Sequence, residues 1–440
     1  MFHRTLSSAY STFLSAIICL FALPHFTAAQ IGGNDRDFAF GMLDMTKDAI
    51  KKNYYDPTFH GVDIDFVFEQ ARERIKAAPS RDALMITIAS AVLAFDDSHT
   101  TFVPPARAAE VEYGWQVAMV GDDCYITRIK PKSDAEAKGL KVGDKLLAID
   151  SFKPTRKNLW QMYYRYFSIA PTARVNMTLL SPGDEKPHNL TIETKINKSA
   201  GLVTLQTLYE RGVVRHGWFD SSKLNEYEQF GNELLIWKMH TFSTSEQSVD
   251  AAMGKARDCK TLVLDLRENG GGYVDTMKRL LGYFFDKDVK IGDQKMRKET
   301  KPMIAKTHGS GIFKGNLIVL VNHDSASASE IFAKVIQNES RGKVIGDTTM
   351  GAVMESKFFD LDSGFGKNLY FGTSVTVADL IMPDGKSLEK IGVTPDEIVL
   401  PTGKDLAESK DPVLAYAAKL AGVELSPEKA GTFFPYEWPK

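Results

Sequence analysis

The chain has 440 residues, 43% of them hydrophobic and 25% charged, with a formal net charge of −2. That length suits about three domains, the composition is that of a globular protein, and the near-neutral charge gives no electrostatic case for nucleic acid or an anionic membrane surface. Cys19, Cys124 and Cys259 show no zinc-type spacing with histidine, so no metal and no other cofactor is expected.

Residues 1–29 read as an export signal. Met1 to Arg4 carries positive charge, Phe13 to Leu23 is apolar, and Thr27-Ala28-Ala29 offers small residues for cleavage before Gln30. The apolar run is too short to span a bilayer comfortably. The mature chain is therefore expected to be periplasmic or secreted, without a stable membrane anchor. Cys124 and Cys259 border apolar runs and are expected to pack as small buried hydrophobes. They fall in different predicted domains, which disfavours a mutual disulfide, although an oxidising compartment permits one.

Residues 30–108 read as a helical domain. Phe38, Met42, Met45, Ile50 and Tyr54 recur at roughly helical spacing, and two more helical patterns run from Ile64 to Ala77 and from Arg81 to Leu93. The last of these delivers Asp96-Asp97-Ser98-His99 to a connecting segment that ends at Pro104-Pro105. Residues 109–197 read strand, short helix, turn, strand: Cys124 to Ile129, Ser133 to Gly139, then Gly143-Asp144 before Leu146 to Ile149. This pattern resembles a PDZ domain, a fold that binds an extended C-terminus by adding it as a strand to a sheet edge. Tyr113, Gly114 and Trp115 lie where such a domain's carboxylate-binding loop sits. The alternative is that Gly114 is only a turn and Trp115 only core.

Residues 198–405 alternate strands and helices. Strands are expected at Glu233 to Trp237, Thr261 to Leu266, Asn316 to Val321, Lys343 to Ile345 and Leu369 to Phe371, with helices at Ser248 to Lys255 and Asp275 to Phe285. This is an α/β core with a mostly buried sheet. Residues 406–440 supply a closing helix, Asp411 to Leu420, and an aromatic-rich surface tail. The expected fold class is multidomain α/β.

Two segments of this core carry chemistry. Asn316 to Val321 is an apolar strand running into Ser325, Ser327 and Ser329 at a helix start. There a nucleophile and a developing oxyanion can both be served by unpaired N–H groups, though serines at that place also cap helices. Thr261 to Leu266 runs into Asn269-Gly270-Gly271-Gly272, a turn able to converge N–H groups on an anion. Together with Phe95 to Thr100 and Leu388 to Asp396, these elements resemble the C-terminal processing peptidases and tricorn-core proteases, one clan of serine endopeptidases. The resemblance implies a crotonase-like core and Ser327 as nucleophile. The processing branch activates its serine with a lysine, but position 352 is alanine here and the nearest following lysine is Lys357. The tricorn-like branch uses a histidine preceded by serine, plus a glutamate, which match His99, Ser98 and Glu389.

The implied reaction is peptide-bond hydrolysis in protein or peptide substrates, some taken through their C-termini. Ser327 attacks, His99 moves the proton, and Glu389 supports the imidazolium directly or through Ser98. Ala328 and one of Gly271 and Gly272 hold the oxyanion. Glu330 and Glu355 rival Glu389, and His240 and His323 rival His99. Two other functions stay open: an inactive PDZ-containing peptide-binding scaffold, and an acyl-CoA-processing enzyme, which shares the crotonase-like core but is disfavoured by the export signal and the PDZ-like module.

Overall fold

The computed structural model describes residues 32–105, 109–198, 224–362 and 370–438. The expected export signal lies outside the described residues. Among the described residues no helix is long and apolar enough to cross a membrane.

Three helices open the described chain: α1 (Gly33–Asn53), α2 (Ile64–Ala77) and α3 (Arg81–Leu93). Asp63 and Ser80 cap α2 and α3 by accepting the N–H groups of Phe66 and Ala83, which offsets donors that a helix start otherwise leaves unpaired. The helices pack Leu43, Ile50, Phe68, Ile75, Ile88 and Phe95 into one apolar cluster. Phe102, Met354, Phe371 and Val375 complete that cluster from later parts of the chain. Phe102 lies in β1 (Thr101–Val103), which pairs antiparallel with a strand some 270 residues on, with Thr101 opposite Ser374. The helical region is thus stitched directly to the rest of the molecule.

A short ladder of β2 (Ala109–Glu112) and β8 (Lys195–Lys198) brackets the next unit. Within it lie β3 (Trp115–Val120), β4 (Asp123–Ile129), β5 (Lys145–Ile149), α4 (Leu159–Tyr163), β6 (Arg174–Leu180) and β7 (His188–Glu193). The five inner strands form one antiparallel sheet in the order β3-β4-β5-β6-β7. A one-turn helix, Asp134–Ala137, follows β4 as its serine-capped start suggests. Cys124 packs into this unit's core, and both Cys124 and Cys259 are buried free thiols.

The remaining strands build two sheets. The larger is β18-β15-β14-β11-β10-β9, where β9 is Asn225–Phe230, β10 Leu234–Met239, β11 Thr261–Asp265, β14 Asn316–Val321, β15 Lys343–Gly346 and β18 Glu397–Ile398. Every pair in it is parallel except β9 with β10. Helices α5 (Glu246–Ala256), α6 (Val274–Leu281) and α7 (Ala328–Asn338) share one apolar cluster with Leu262, Leu264, Val319 and Val321. On the other side Val263, Ile318 and Leu320 meet α8 (Pro412–Leu420). A sheet apolar on both faces explains why β11 and β14 read as continuous hydrophobic runs. The second sheet, β1-β17-β12-β13 with β16 on β17, uses β12 (Val289–Met296), β13 (Thr300–Ala305), β16 (Glu355–Asp362) and β17 (Tyr370–Ile381). The chain is multidomain α/β. The helix expected to reach Phe285 stops at Leu281, because Gly282 to Phe285 turn back to bring Phe284 into the core.

Asp265, at the end of β11, is fully buried. Its carboxylate accepts from the Arg267 side chain at 2.7 and 3.0 Å and lies 3.4 Å from Lys238 Nζ, while Arg267 also grips Asp411 at 2.7 and 2.9 Å. Burial alone would raise the Asp265 pKa. The Arg267 and Lys238 charges outweigh it and hold the carboxyl below the usual carboxylate range. A depressed folded value means this stabilisation is present above the unfolded pKa, about 3.9, and is lost as pH falls through the lower folded one. Asp265→Asn leaves buried charge uncompensated, so at pH 7 it is expected to cost about 3–5 kcal/mol. A thermal scan would read this as a lowered midpoint, with the gap to wild type shrinking under strongly acid conditions.

Candidate active site

Strands β11 and β14 are parallel neighbours in the register Asp265 opposite Leu320, so the turns that leave their C-terminal ends must lie side by side. One is the Asn269–Gly272 turn and the other carries Ser327. Their contact is close. A Cβ built on Gly271, whose φ is +92°, would fall 2.7 Å from Ser327 Cβ and 2.8 Å from the Ala326 carbonyl oxygen. Only glycine can occupy that position without moving the serine.

Ser327 stands apart from its two neighbours. Ser325 and Ser329 are fully buried, and their hydroxyls donate to the carbonyls of Leu266 and Asn269, each at 2.8 Å. Ser327 is partly exposed and its side chain makes no capping bond to α7. Its backbone has φ 56° and ψ −119°, a sparsely populated region for a residue with a Cβ and one that functional turns hold under strain. The restraint comes from Glu330, fully buried one helical turn on. Its carboxylate accepts the N–H groups of Ser327 (3.0 Å), Gly351 (2.7 Å) and Ala352 (2.8 Å) and the Thr349 hydroxyl (2.6 Å). Burial pushes its pKa up to about 7 against those four donors. Glu330 therefore supports the turn from below and is not aimed at a base.

Ser98, His99 and Glu389 come together across 291 residues. Glu389 accepts the Ser98 N–H and hydroxyl, both at 2.9 Å, and the Val353 N–H at 3.1 Å. Ser98 Oγ is also 2.7 Å from His99 Nδ1. The turn that presents the pair is tied by buried Asp97, which accepts from His99 N, Thr100 N, and the hydroxyls of Thr100 and Thr376 at 2.6–2.9 Å. Burial raises the Glu389 pKa to about 7 despite its three donors. This cluster is joined to the Ser327 turn by one peptide unit: Ser327 N donates to Ala352 O at 2.8 Å, and the next residue, Val353, donates to Glu389. Ala352 itself is buried, its carbonyl held by Ser327 N and its N–H by Glu330.

The rivals lie elsewhere. Lys357 is exposed on β16. His240 is 2.8 Å from Glu226, and burial first, then the Lys238 charge, lowers its pKa. His323 is buried, and Glu355 bonds Gln294. Of the backbone donors, Gly271 N–H is already given to Asn269 Oδ1 at 2.9 Å. The N–H groups of Ala328 and Gly272 enter no backbone bond.

At the Tyr113-Gly114-Trp115 turn the aromatic side chains are core. Tyr113 and Trp115 are buried, with ring centroids 4.7 and 6.2 Å from Phe167. The Tyr113 hydroxyl donates to Tyr166 O and accepts from Thr172 N, both at 3.0 Å. Gly114 has φ +74° and its carbonyl accepts from Lys130 N. Aromatic side chains flanking this turn are core, because β3 needs apolar inward positions to close its sheet. Only main-chain groups remain for a ligand there. Asp97 went unassigned in sequence, and Glu330 was weighed only as a rival of Glu389, not as a support of the turn. The signal that could have flagged Glu330 is a carboxylate three residues into a helix, the usual partner of the residue before that helix.

Residues 233–399 match the model of peptidase family S41. The chain is 26% identical over 379 residues to a chloroplastic C-terminal processing peptidase of Tetradesmus obliquus, covering 79% of this chain and 74% of that one. It is 24% identical over 362 residues to a carboxyl-terminal-processing protease of Picosynechococcus, covering 80% of each. Among solved structures, the photosystem II D1 C-terminal processing protease superposes with a TM-score of 0.52 at 21% identity, over 89% of this chain and 99% of that one. Mature CPAF superposes with a TM-score of 0.62 at 14% identity, over 85% and 95%. Fold and matches define a serine-type peptidase. Residues 233–399 thus carry the peptidase family S41 match, and the chain as a whole is similar to the C-terminal processing proteases.

Proposed function

We propose that the chain is an exported serine endopeptidase whose nucleophile is Ser327, activated by His99 with Ser98 and Glu389 in support. The observation that carries this reading is the hydrogen-bonded series from His99 Nδ1 through Ser98 Oγ to Glu389, joined to Ser327 by the Ala352–Val353 peptide. With Glu389 ionised, the Ser98 hydroxyl donates to it and its lone pair accepts the His99 Nδ1 proton. That tautomer leaves Nε2 basic for the Ser327 proton. After attack on a peptide carbonyl, the imidazolium gives the proton to the leaving amine. The N–H groups of Ala328 and Gly272 receive the oxyanion, and Gly271, its own N–H committed, contributes the close approach.

The substrate class is protein or peptide chains, with C-terminal segments favoured by the names of the relatives and by the antiparallel unit at 109–197, which we read as a PDZ module. A cleaved signal ending at Ala29 places the mature enzyme in the periplasm or outside the cell. The test is fluorophosphonate labelling of the intact chain, located by peptide mass, alongside turnover of an unstructured protein. Modification at Ser327 with turnover is the expected result. No label and no turnover in a folded sample would mean an inactive scaffold instead.

A further inference from the structure

Strand β3 is one of the two edge strands of the 115–193 sheet. Gln116, Val117 and Ala118 register with Arg128, Ile126 and Tyr125 of β4, and because Ile126 spends its N–H and C=O on Asp144 and Gly143, the main chain of Val117 faces the open edge. Both of its polar groups nevertheless have a partner. Val117 N donates to the Tyr163 hydroxyl at 3.0 Å, and that hydroxyl donates to Val117 O at 2.6 Å. One hydroxyl can do both because it carries a donor and acceptor lone pairs. It thereby imitates what one residue of an added strand would do, namely exchange two bonds with one residue of the edge. Tyr163 is delivered by the last residue of α4, and its ring is held 5.3 Å from Phe167, in the cluster that includes Tyr113 and Trp115. The edge is short, running six residues from Trp115 to Val120, and starts directly after the Gly114 turn.

We propose that Tyr163 is a latch on the peptide-binding edge of this module. Its hydroxyl fills the main-chain site of Val117 while the module is empty, and an extended peptide with a free C-terminus pairs with β3 by displacing it. The occupant is an extended main chain because what the hydroxyl satisfies is one N–H and one C=O of an edge strand. It is a chain end because the edge begins at a tight turn that leaves no strand for a longer peptide to follow. The proposal rests on the reading of residues 109–197 as a C-terminal-recognition module. Opening the latch breaks two hydrogen bonds before the peptide makes its own, so the hydroxyl lowers affinity while leaving the groove's shape intact.

The experiment measures anisotropy of a fluorescent decapeptide with an apolar, free C-terminus, and of its amide, on the full chain bearing Ser327→Ala so that nothing is cut. Adding Tyr163→Phe should tighten the free-acid peptide roughly tenfold, with the amide weak on both proteins. Tyr163→Leu, which also lacks the hydroxyl, should shift affinity in the same direction and guards against an effect of ring packing. Equal or weaker binding by both variants overturns the latch while C-terminal recognition stands. No binding of the acid by any of the proteins, with thermal midpoints unchanged, removes the recognition reading and the latch together.

Discussion

Ser327→Ala is expected to abolish hydrolysis of an unstructured protein while leaving the fold intact. Removing one member of a serine catalytic unit costs on the order of 10⁴-fold or more in turnover. The two neighbouring serines provide the control. Ser325 and Ser329 spend their hydroxyls on the buried carbonyls of Leu266 and Asn269, so alanine there should cost about 1 kcal/mol of stability each and leave substantial activity. The contrast separates a nucleophile from a residue that merely shapes the turn. Circular dichroism and the thermal midpoint establish that the inactive protein is folded. A dead Ser329→Ala enzyme beside an active Ser327→Ala one would shift the nucleophile by one step around the helix start.

The second large effect is on the base. His99→Ala should reduce kcat nearly as far as Ser327→Ala, while exposed Lys357→Ala stays within a few-fold of wild type. The pH dependence follows from Glu389, whose burial raises its pKa to about 7. Above that value the carboxylate accepts from Ser98, Ser98 accepts from His99 Nδ1, and Nε2 is free to take a proton. Below it the protonated carboxyl no longer imposes that order, and an imidazolium cannot act as base. Activity is therefore expected to fall as pH drops through about 7. The stability term runs the other way. A raised folded pKa means the native state holds its proton more tightly than the unfolded chain. This contribution is present at low pH and declines as pH rises from about 4.3 towards about 7. Glu389→Gln should cost less than His99→Ala, since an amide keeps some orientation but not the charge.

The parts of this site that could be read from sequence are those with local patterns. The apolar runs at Thr261 to Leu266 and Asn316 to Val321 are strands because both faces of their sheet are covered, and the glycine and serine turns follow at once. Parallel pairing then makes those turns neighbours, a consequence of topology that no local pattern states. The meeting of Ser98 with Glu389 was legible only through family resemblance, since 291 residues separate them and exposed glutamates are common. The side chains of Tyr113 and Trp115 are core, so what the Gly114 turn leaves for a ligand is its main chain, and no local pattern says whether those N–H groups are used. Glu330, Asp97 and Tyr163 act by bonding main-chain groups of distant segments. Such bonds leave no periodic trace. Strand β16 was missed because Glu355, Lys357 and Asp360 break the apolar alternation of an edge strand, and its long partner β17 was caught only at its start, Tyr370 and Phe371.

The most direct test of the proposed Ser98–His99–Ser327–Glu389 unit is a double-mutant cycle. It compares kcat/KM for Ser327→Ala, His99→Ala and the double variant on one unstructured protein. Residues that act as one unit are strongly non-additive, so the double variant should be little worse than either single change. Independent losses that multiply in the double variant, or a fully active His99→Ala enzyme, would contradict the assignment.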